Sequence, residues 1–335
     1  MHTLVTGGAG FIGSALVERL LAEGHTVDVV DNLTTGSLWN LAEARAGAGR
    51  DLTFHQLDVR SPDVADLVVR RRPEVVWHLA GHDDMEAANA APAADADANI
   101  IGTLRILEAV RAAETRKLVV ASSAAVYGET GDGRATEVSP RRPRSAHAIG
   151  KHAVDAYLAA FADIDSLVFT SLVLANVYGP RASSGVVTTW AECLVAARAC
   201  TVFGRGDQVR DFVFVDDVVD ALARAAERGD GMILNIGTGV PTSLADLHAT
   251  MIELAAEIHA AASPNPGDIG AEDIDAAARL RGPALGVRQG PARSGDLHTC
   301  VLDPSRAEDA LGWAPWTTLR DGLAAVVGAA AHPRP

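Results

Sequence analysis

The chain has 335 residues, a formal net charge of −14 and 48% hydrophobic residues. Its length exceeds the size at which a single hydrophobic core usually stops growing, so we expect one large domain and a smaller lobe. The acidic charge argues against nucleic acid as a partner, because neutralising phosphates requires a basic face. No apolar stretch is long enough for a transmembrane helix, and Met1 leads almost directly into a predicted strand, without room for a signal peptide.

Apolar runs of strand length alternate with amphipathic helical patterns through residues 1–175. In chain order the predicted elements are strand His2–Thr6, helix Phe11–Glu23, strand Thr26–Val30, strand Leu52–Leu57, helix Pro62–Arg71, strand Glu74–His78, helix Asn99–Ala113, strand Lys117–Ala121, helix Ser145–Ala162 and strand Leu167–Leu174. This alternation predicts an α/β fold with a doubly wound parallel sheet of Rossmann type. In such a fold, ligands bind at the carboxyl ends of the strands.

After residue 175 the predicted strands become short and are separated by loops. They are Thr201–Phe203, Phe212–Val215 and Met232–Ile236. We interpret residues 176–335 as mostly a smaller C-terminal lobe that binds substrate, with about 212–240 returning strands to the large domain of residues 1–175. Ser263–Ser294 contains four prolines and several glycines, and we interpret it as a long excursion outside the core.

A glycine-rich loop follows the first predicted strand. Gly7, Gly10 and Gly13 are spaced G-x-x-G-x-x-G, and the next predicted helix opens with Phe11 and Ile12. Glycines here permit a tight turn, close approach of backbone N–H groups to a pyrophosphate, and close packing of the helix on the strand. A glycine turn without a ligand is the alternative. The position of the loop between a strand and a helix favours a dinucleotide site.

An acidic residue supports the same site. Asp31 ends the second predicted strand, where a carboxylate can accept hydrogen bonds from ribose hydroxyls. Asn32 follows it with no arginine nearby, and a carboxylate repels a 2′-phosphate, so the pair favours NAD over NADP. Asp58 and Val59 close the third predicted strand and are interpreted as adenine contacts, with a simple strand cap as the alternative for Asp58. The sequence therefore predicts that residues 1–175 bind NAD.

Eight segments stand out as motifs, from the glycine loop to the C-terminal part of the chain. They are Thr6–Gly13, His78–Gly81, Asn99–Thr103, Ser122–Gly128, Asn176–Arg181, Phe203-Gly204 with Arg210–Asp217, Asn235–Gly239 and Arg293–Asp296. In this order they resemble the extended short-chain dehydrogenase/reductase family, in particular its nucleotide-sugar epimerases and dehydratases of the UDP-glucose 4-epimerase type. The resemblance covers nearly the whole chain.

The resemblance implies further cofactor residues. Leu79, Ala80 and Gly81 would line the nicotinamide side of the site, and Asn99 and Lys151 would complete it.

The resemblance also implies a substrate site for a sugar nucleotide, most simply a UDP-sugar. Asn176, Arg210 and Arg293 would hold its diphosphate, which suits the fork of an arginine and reconciles an acidic chain with an anionic ligand. The other substrate residues predicted are Asp83, Ser123, Phe203, Asp296 and Cys300. Asp83 belongs to an acidic loop that could recognise sugar hydroxyls or an amine, or could simply be solvated.

The implied catalytic group is a tyrosine and a lysine four residues apart on one helix face, with a serine. Ser123 and Lys151 match, but His147 stands where the tyrosine should be. Histidine can act as a base, since its ordinary pKa suits neutral pH. Imidazole is shorter than phenol, however, and a misplacement of about 1 Å can cost about 10²-fold in rate. The sequence leaves four alternatives open. The substrate lies closer to His147, a water relays the proton, His82 or Asp83 supplies the base, or the activity is weakened or lost.

The segment Ser122–Gly128, the serine loop, bears on which reaction of the family the chain catalyses. The resemblance places an acid pair there in dehydratases and a glutamate in UDP-glucuronate decarboxylases, whereas this chain has Ala124 and Ala125. This favours 4-epimerisation through a transient 4-keto sugar. Cys300 occupies what looks like the position that limits bulk at the sugar C2, so UDP-hexoses and UDP-N-acetylhexosamines are both expected. The alternatives are another NAD-dependent sugar-nucleotide oxidoreductase or dehydratase, or a homologue that binds without turnover.

The cysteines indicate the cellular compartment of the protein, and its two longest predicted helices indicate its oligomeric state. Cys193, Cys200 and Cys300 are odd in number and lack metal-type spacing, which argues against disulfides or a metal and fits the cytoplasm. The helices Asn99–Ala113 and Ser145–Ala162 resemble those of the family's dimer bundle. We therefore expect a cytoplasmic homodimer without a membrane partner.

Overall fold

A computed structural model describes residues 1–262 and 287–332. In chain order its strands and α-helices are β1 (His2–Thr6), α1 (Phe11–Ala22), β2 (Thr26–Asp31), α2 (Ala42–Ala48), β3 (Leu52–Gln56), α3 (Pro62–Arg71), β4 (Val75–His78), α4 (Met85–Ala90), α5 (Pro92–Ala96), α6 (Gly102–Ala112), β5 (Lys117–Ser123), α7 (Ala146–Asp165), β6 (Phe169–Leu174), β7 (Asn176–Tyr178), α8 (Val186–Val195), β8 (Thr201–Phe203), β9 (Val209–Arg210), β10 (Phe212–Phe214), α9 (Val215–Arg224), β11 (Met232–Ile236), β12 (Thr242–Ser243), α10 (Leu244–Ala262), β13 (Arg288–Gly290), β14 (Thr299–Cys300), α11 (Ser305–Leu311) and α12 (Leu319–Ala331).

Seven parallel strands form the central sheet in the order β11-β6-β5-β4-β1-β2-β3. β1 lies between β2 and β4, so the strand order reverses there, at the position where doubly wound folds bind their ligands. The carboxyl ends of these strands carry the glycine loop, Asp31 and His78. The predicted Rossmann-type α/β fold is confirmed.

Apolar side chains cover both faces of this sheet. Successive residues of a strand point to opposite faces, so Leu4 and Val5 enter two different hydrophobic clusters, and both are 0% exposed. One cluster includes Leu67 of α3, Ile106 of α6 and Leu158 of α7. The other cluster joins the sheet to α1, α9 and the C-terminal part of the chain. Burial on both faces explains why the strands read as nearly continuous apolar runs.

The C-terminal part contains more helix than the sequence predicted. The predicted pattern of short strands and loops after residue 175 misses α8, α9, α10 and α12. α9 was missed because it starts at Val215, directly after β10, and Val215 was assigned to that strand. Its apolar side then buries Val218 and Leu222. No helix in the described ranges is both long and apolar enough to cross a membrane.

Short strands make three small sheets in this part, ordered β12-β9-β14, β10-β7 and β13-β8. β11 instead leaves this part of the chain and pairs with β6 at the edge of the large sheet. Most of the predicted excursion Ser263–Ser294 lies outside the described residues. Its last part contains Arg288–Gly290, which pairs with Thr201–Phe203 and so belongs to a sheet.

Candidate active site

The glycine loop after β1 is too tightly packed for side chains. A Cβ on Gly13 would lie 2.1 Å from the carbonyl oxygen of Gly7, and one on Gly7 would lie 2.7 Å from the backbone nitrogen of Ala80. Gly7 also has a φ of +71°, a left-handed conformation that favours glycine. The amide of Gly10 donates to the carbonyl of Gly7 over 3.1 Å. The loop therefore forms a backbone cradle at the start of α1.

The start of α1 suits an anion. Gly10 precedes the helix, and no side chain in the described part of the chain caps it. The first N–H groups of a helix lack intrahelical partners and carry positive potential, so they can bind a phosphate. Phe11 and Ile12 form this first turn. Cradle and helix start together fit the pyrophosphate of a dinucleotide.

Asp31 lies beside the cradle with its carboxylate already anchored. The carboxylate accepts from the amide of Ala9 over 3.0 Å and from that of Leu33 over 2.8 Å. These bonds use one lone pair on each oxygen, and the others can accept from ribose hydroxyls.

Asp58, beyond β3, is tied to neighbouring polar groups. It accepts from Asn32 over 2.8 Å and pairs with Arg60 over 2.7 Å. Arg60 holds the pKa of Asp58 well below its usual range. Asp58 is thus held next to Asn32, the residue that follows Asp31.

The segment after β4 meets two other predicted cofactor residues. The amides of Leu79 and Ala80 donate to Thr6, over 3.1 Å to its carbonyl and 3.2 Å to its hydroxyl. A Cβ on Gly81 would lie 2.7 Å from Oδ1 of Asn99 and 3.5 Å from Nζ of Lys151. A Cβ at position 81 would thus press against the side-chain amide of Asn99, and Asn99 and Lys151 both lie beside this segment.

His147 and Lys151 lie one turn apart on α7. Nδ1 of His147 is 2.8 Å from the carbonyl oxygen of His82, and the side chain is largely buried. Nζ of Lys151 donates to the carbonyl of Ala121 at the end of β5 over 2.9 Å. Burial, and then the charge of Lys151, lower the pKa of His147, and burial lowers the pKa of Lys151. The imidazole is thus held in its neutral form.

A cavity of ≈ 200 Å³ is lined in part by Ser145, the N-cap of α7, whereas His147 and Lys151 are not among its lining residues. Five predicted substrate residues line it, namely Ser123, Asn176, Arg210, Asp296 and Cys300. Its boundary also includes Ala124 and Ala125 of the serine loop. Asp83, Phe203 and Arg293 are predicted substrate residues that do not line this cavity.

The two predicted phosphate-binding arginines are both engaged with acidic residues. Arg210 pairs with Asp296 over 2.5 Å. Arg293 pairs with Glu86 over 2.8 Å, and its guanidinium lies 3.8 Å from the centre of the Phe203 ring. Arg293 is therefore held by an ion pair on one residue and by stacking on another, outside the lining of the cavity.

Comparison with known proteins places the chain in a family. Residues 3–237 match the NAD dependent epimerase/dehydratase family. The chain belongs to this family. It is 39% identical to the UDP-glucose 4-epimerase of Mycolicibacterium smegmatis, over 98% of this chain and 97% of that protein.

Solved structures of relatives agree with this assignment. The UDP-glucose 4-epimerase of Thermotoga maritima, crystallised with UDP-glucose, superposes with a TM-score of 0.84 at 34% identity, covering 98% of each chain. That of Thermus thermophilus, in complex with NAD, gives 0.85 at 32% identity and covers 100% of each chain. The family is NAD dependent, so the predicted cofactor is confirmed.

The family resemblance implies a tyrosine at position 147, and neither Tyr127 nor Tyr157 takes its place. The hydroxyl of Tyr127 donates to Asn235 over 2.8 Å, and burial raises the pKa of Tyr127 to about 12. Tyr157 on α7 is 41% exposed, whereas His147 on the same helix is 8% exposed. Tyr127 is thus already hydrogen-bonded, and Tyr157 lies on an exposed face of α7.

The acidic loop before α4 contains Asp83, which the sequence analysis named as an alternative to His147 as the base. Asp84 accepts from the amides of Glu86 and Ala87 and so caps α4. Asp83 is exposed, and its charge acts on both His147 and Lys151 to raise their pKa values. Asp83 therefore acts electrostatically on His147 and Lys151.

The cavity also contains residues that the sequence reasoning missed. Met85 and Arg144 line it, and Arg144 lies 3.6 Å from Glu129. Arg144 directly precedes Ser145, the N-cap of α7, and is close to a segment already singled out. The sequence placed Arg144 next to a predicted site segment, but it could not predict that the side chain points into the cavity.

Proposed function

We propose that this protein is an NAD-dependent nucleotide-sugar 4-epimerase acting on UDP-hexoses or UDP-N-acetylhexosamines. The observation that carries the proposal is the meeting of two sites at α7. Lys151 of α7 lies beside Gly81 of the cofactor segment, while Ser145 at the start of the same helix lines the cavity that also holds Ser123, Asn176 and Arg210. The similarity to UDP-glucose 4-epimerases over nearly the whole chain supports the same activity.

The side chains divide the work of such a reaction. His147 takes the proton from the sugar C4 hydroxyl and later returns it, since a neutral imidazole can accept a proton. NAD, when bound, supplies a reversible hydride acceptor at the same carbon. Lys151 orients the nicotinamide ribose and disfavours imidazolium at His147. Asn176 and Arg210 hold the diphosphate while the 4-keto sugar rotates and presents its other face to the cofactor.

The cavity favours epimerisation over elimination. Ala124 and Ala125 supply no acid where dehydration or decarboxylation would need one. Cys300 is buried, lies 3.6 Å from the carbonyl of Ala124, and has its pKa raised to about 11 by burial. It is therefore a neutral, small side chain that leaves room for a C2 substituent.

A product survey tests the proposal. We expect full-length protein supplied with NAD to convert a UDP-hexose or its N-acetyl derivative to the C4 epimer, measured by NMR of the product mixture. UDP-, dTDP- and GDP-sugars should be tested in parallel. A 4-keto-6-deoxy product or loss of carbon dioxide would replace epimerisation with another reaction of the family.

Arg210 provides a specific prediction. We expect Arg210→Ala to raise KM for the sugar nucleotide about 10- to 100-fold, the loss of one charge-assisted hydrogen bond, with NAD affinity unchanged. Arg205→Ala is the matched control, since Arg205 is exposed and pairs only with the nearby Asp207 among the described residues. Equal KM values in both variants would exclude Arg210 from the diphosphate site.

One observation favours a second candidate function. His147 is shorter than the tyrosine it replaces and is held by the His82 carbonyl. A protein that binds NAD and a sugar nucleotide without turnover would fit this arrangement. Tight NAD binding, with no conversion across the whole panel, would favour it.

We further propose a cytoplasmic homodimer. The described cysteines are all free, which fits a reducing compartment. Ile149 and Tyr157 of α7 are 55% and 41% exposed, and Ile101 just before α6 is 41% exposed. Large apolar side chains on two neighbouring helices are suited to a symmetric interface. Sedimentation at several concentrations tests this, and a monomer throughout would exclude it.

A further inference from the structure

Asn99 binds the backbone of His82 at both its N–H and its C=O group. Its Oδ1 accepts from the amide of His82 over 2.9 Å, and its Nδ2 donates to the carbonyl of His82 over 3.0 Å. Nδ2 also donates to Asp95 over 2.8 Å, which fixes which end of the amide is nitrogen. Asn99 is 2% exposed and lies in a π-helical turn, Asp97–Ile101. Such turns recur at functional sites.

The same carbonyl binds His147. Nδ1 of His147 lies 2.8 Å from the oxygen of His82. A carbonyl oxygen only accepts, so Nδ1 must carry the hydrogen, and a neutral ring then has its free lone pair on Nε2. Nε2 has no hydrogen-bond partner within residues 1–262 and 287–332, and it is not among the fully enclosed polar atoms there that lack one. It is therefore open to a reactant.

We propose that Asn99 is a positioning residue that holds the His82 carbonyl so that His147 keeps its proton on Nδ1 and exchanges the substrate proton through Nε2. This rests on the proposed function of the site. The role is specific to a chain with histidine at position 147, because a phenol has no tautomers to select. A neutral imidazole without this partner populates both tautomers, and only one leaves Nε2 able to accept.

The surroundings of His147 do not select this tautomer by themselves. The charged groups that face it are Lys151 from the same helix, Asp95 from α5 and Asp83 from the preceding loop. These charges bias whether the ring is protonated. The hydrogen bond to the His82 carbonyl decides which nitrogen carries the proton of the neutral ring.

NMR of the NAD-bound, full-length protein labelled with ¹⁵N-histidine tests the proposal. We expect Nδ1 of His147 to be the protonated nitrogen at neutral pH, with His147→Gln used to assign the signals. A proton on Nε2 in the wild-type protein would overturn the proposal. Because this readout needs no turnover, it can fail while epimerase activity is found, or succeed while activity is absent.

Kinetics test the role of Asn99 in the same protein. We expect Asn99→Ala to lower kcat about tenfold, the rate factor for one net hydrogen bond, and to mix the tautomers of His147. In a His147→Tyr background the same change should have a smaller effect on kcat. Equal effects in both backgrounds, with NAD affinity matched, would make Asn99 merely structural. If Asn99→Ala does not fold, the wild-type spectrum still decides the tautomer.

Discussion

Replacing His147 by alanine is expected to lower kcat for epimerisation by about 10²- to 10⁴-fold, the usual contribution of a positioned general base. NAD binding should be nearly unchanged, because the cradle of Gly7, Gly10 and Gly13 lies elsewhere on the sheet edge. The loss should appear in kcat and not in KM, since the imidazole acts on a proton in transit. Steady-state rates and NAD titration on the same preparation measure both quantities.

The matched control is His152→Ala, a histidine one residue beyond Lys151 on the same helix that is not among the predicted site residues. It should keep kcat close to that of the wild type. His147→Tyr restores the residue implied by the family. If His147→Tyr raised kcat while His147→Ala left it unchanged, histidine would have no role as a base.

The pH profile gives an independent readout of the same residue. Burial and Lys151 lower the pKa of His147, and Asp83 and Asp95 oppose this only in part. The unprotonated ring is the active form, so activity is present above this pKa and lost below it. We expect kcat to stay level from neutral pH down through about 6.5, the ordinary histidine value, and to fall only below it. An acid limb at or above that value would contradict the structure.

Gly13→Ala is expected to weaken NAD binding about 100-fold or more, which corresponds to about 2.7 kcal/mol. The new Cβ would lie 2.1 Å from the oxygen of Gly7 and 2.8 Å from Cα of Gly8, so the cradle or α1 must move. The same overpacking should cost about 1–3 kcal/mol of the free energy of unfolding. Calorimetric titration with NAD and thermal unfolding measure the two effects.

Gly47→Ala is the control, because a Cβ there meets nothing within 4 Å. Gly47 lies within α2, where alanine is the better helix former, so stability should rise by up to about 1 kcal/mol and NAD affinity should stay the same. Unaltered NAD affinity in Gly13→Ala would show that the cofactor does not use this cradle.

The sequence predicted the large sheet well because its strands are buried on both faces and its helices are amphipathic. Four predicted elements match the observed bounds, namely His2–Thr6, Pro62–Arg71, Thr201–Phe203 and Met232–Ile236, and the other predicted bounds differ by at most three residues. Helix α9 was missed because it follows β10 without a turn signal. Local pattern rules detect breaks between elements, and none exists there.

The candidate site, like the fold, was predicted from the sequence only in part. Motifs placed Ser123 at the end of a strand, Asn99 at the start of a helix and Lys151 in the second turn of the next long helix. They did not reveal that Asn99 and His147 share the carbonyl of His82, since that contact depends on how the loop after β4 is held. Nor did they show the stacking of Arg293 on Phe203, which joins two separate segments through side-chain direction.

The return of β11 to the large sheet has a consequence for dividing the chain. A fragment ending near residue 175 would leave β6 as an unprotected edge, with its backbone N–H and C=O groups exposed along a run that is 0–7% exposed in the whole protein. Long apolar edges of this kind pair with other chains and aggregate. Residues 1–175 therefore depend on a strand made some sixty residues later to cover the edge of their sheet, so folding of this sheet during synthesis must wait for residues 232–236.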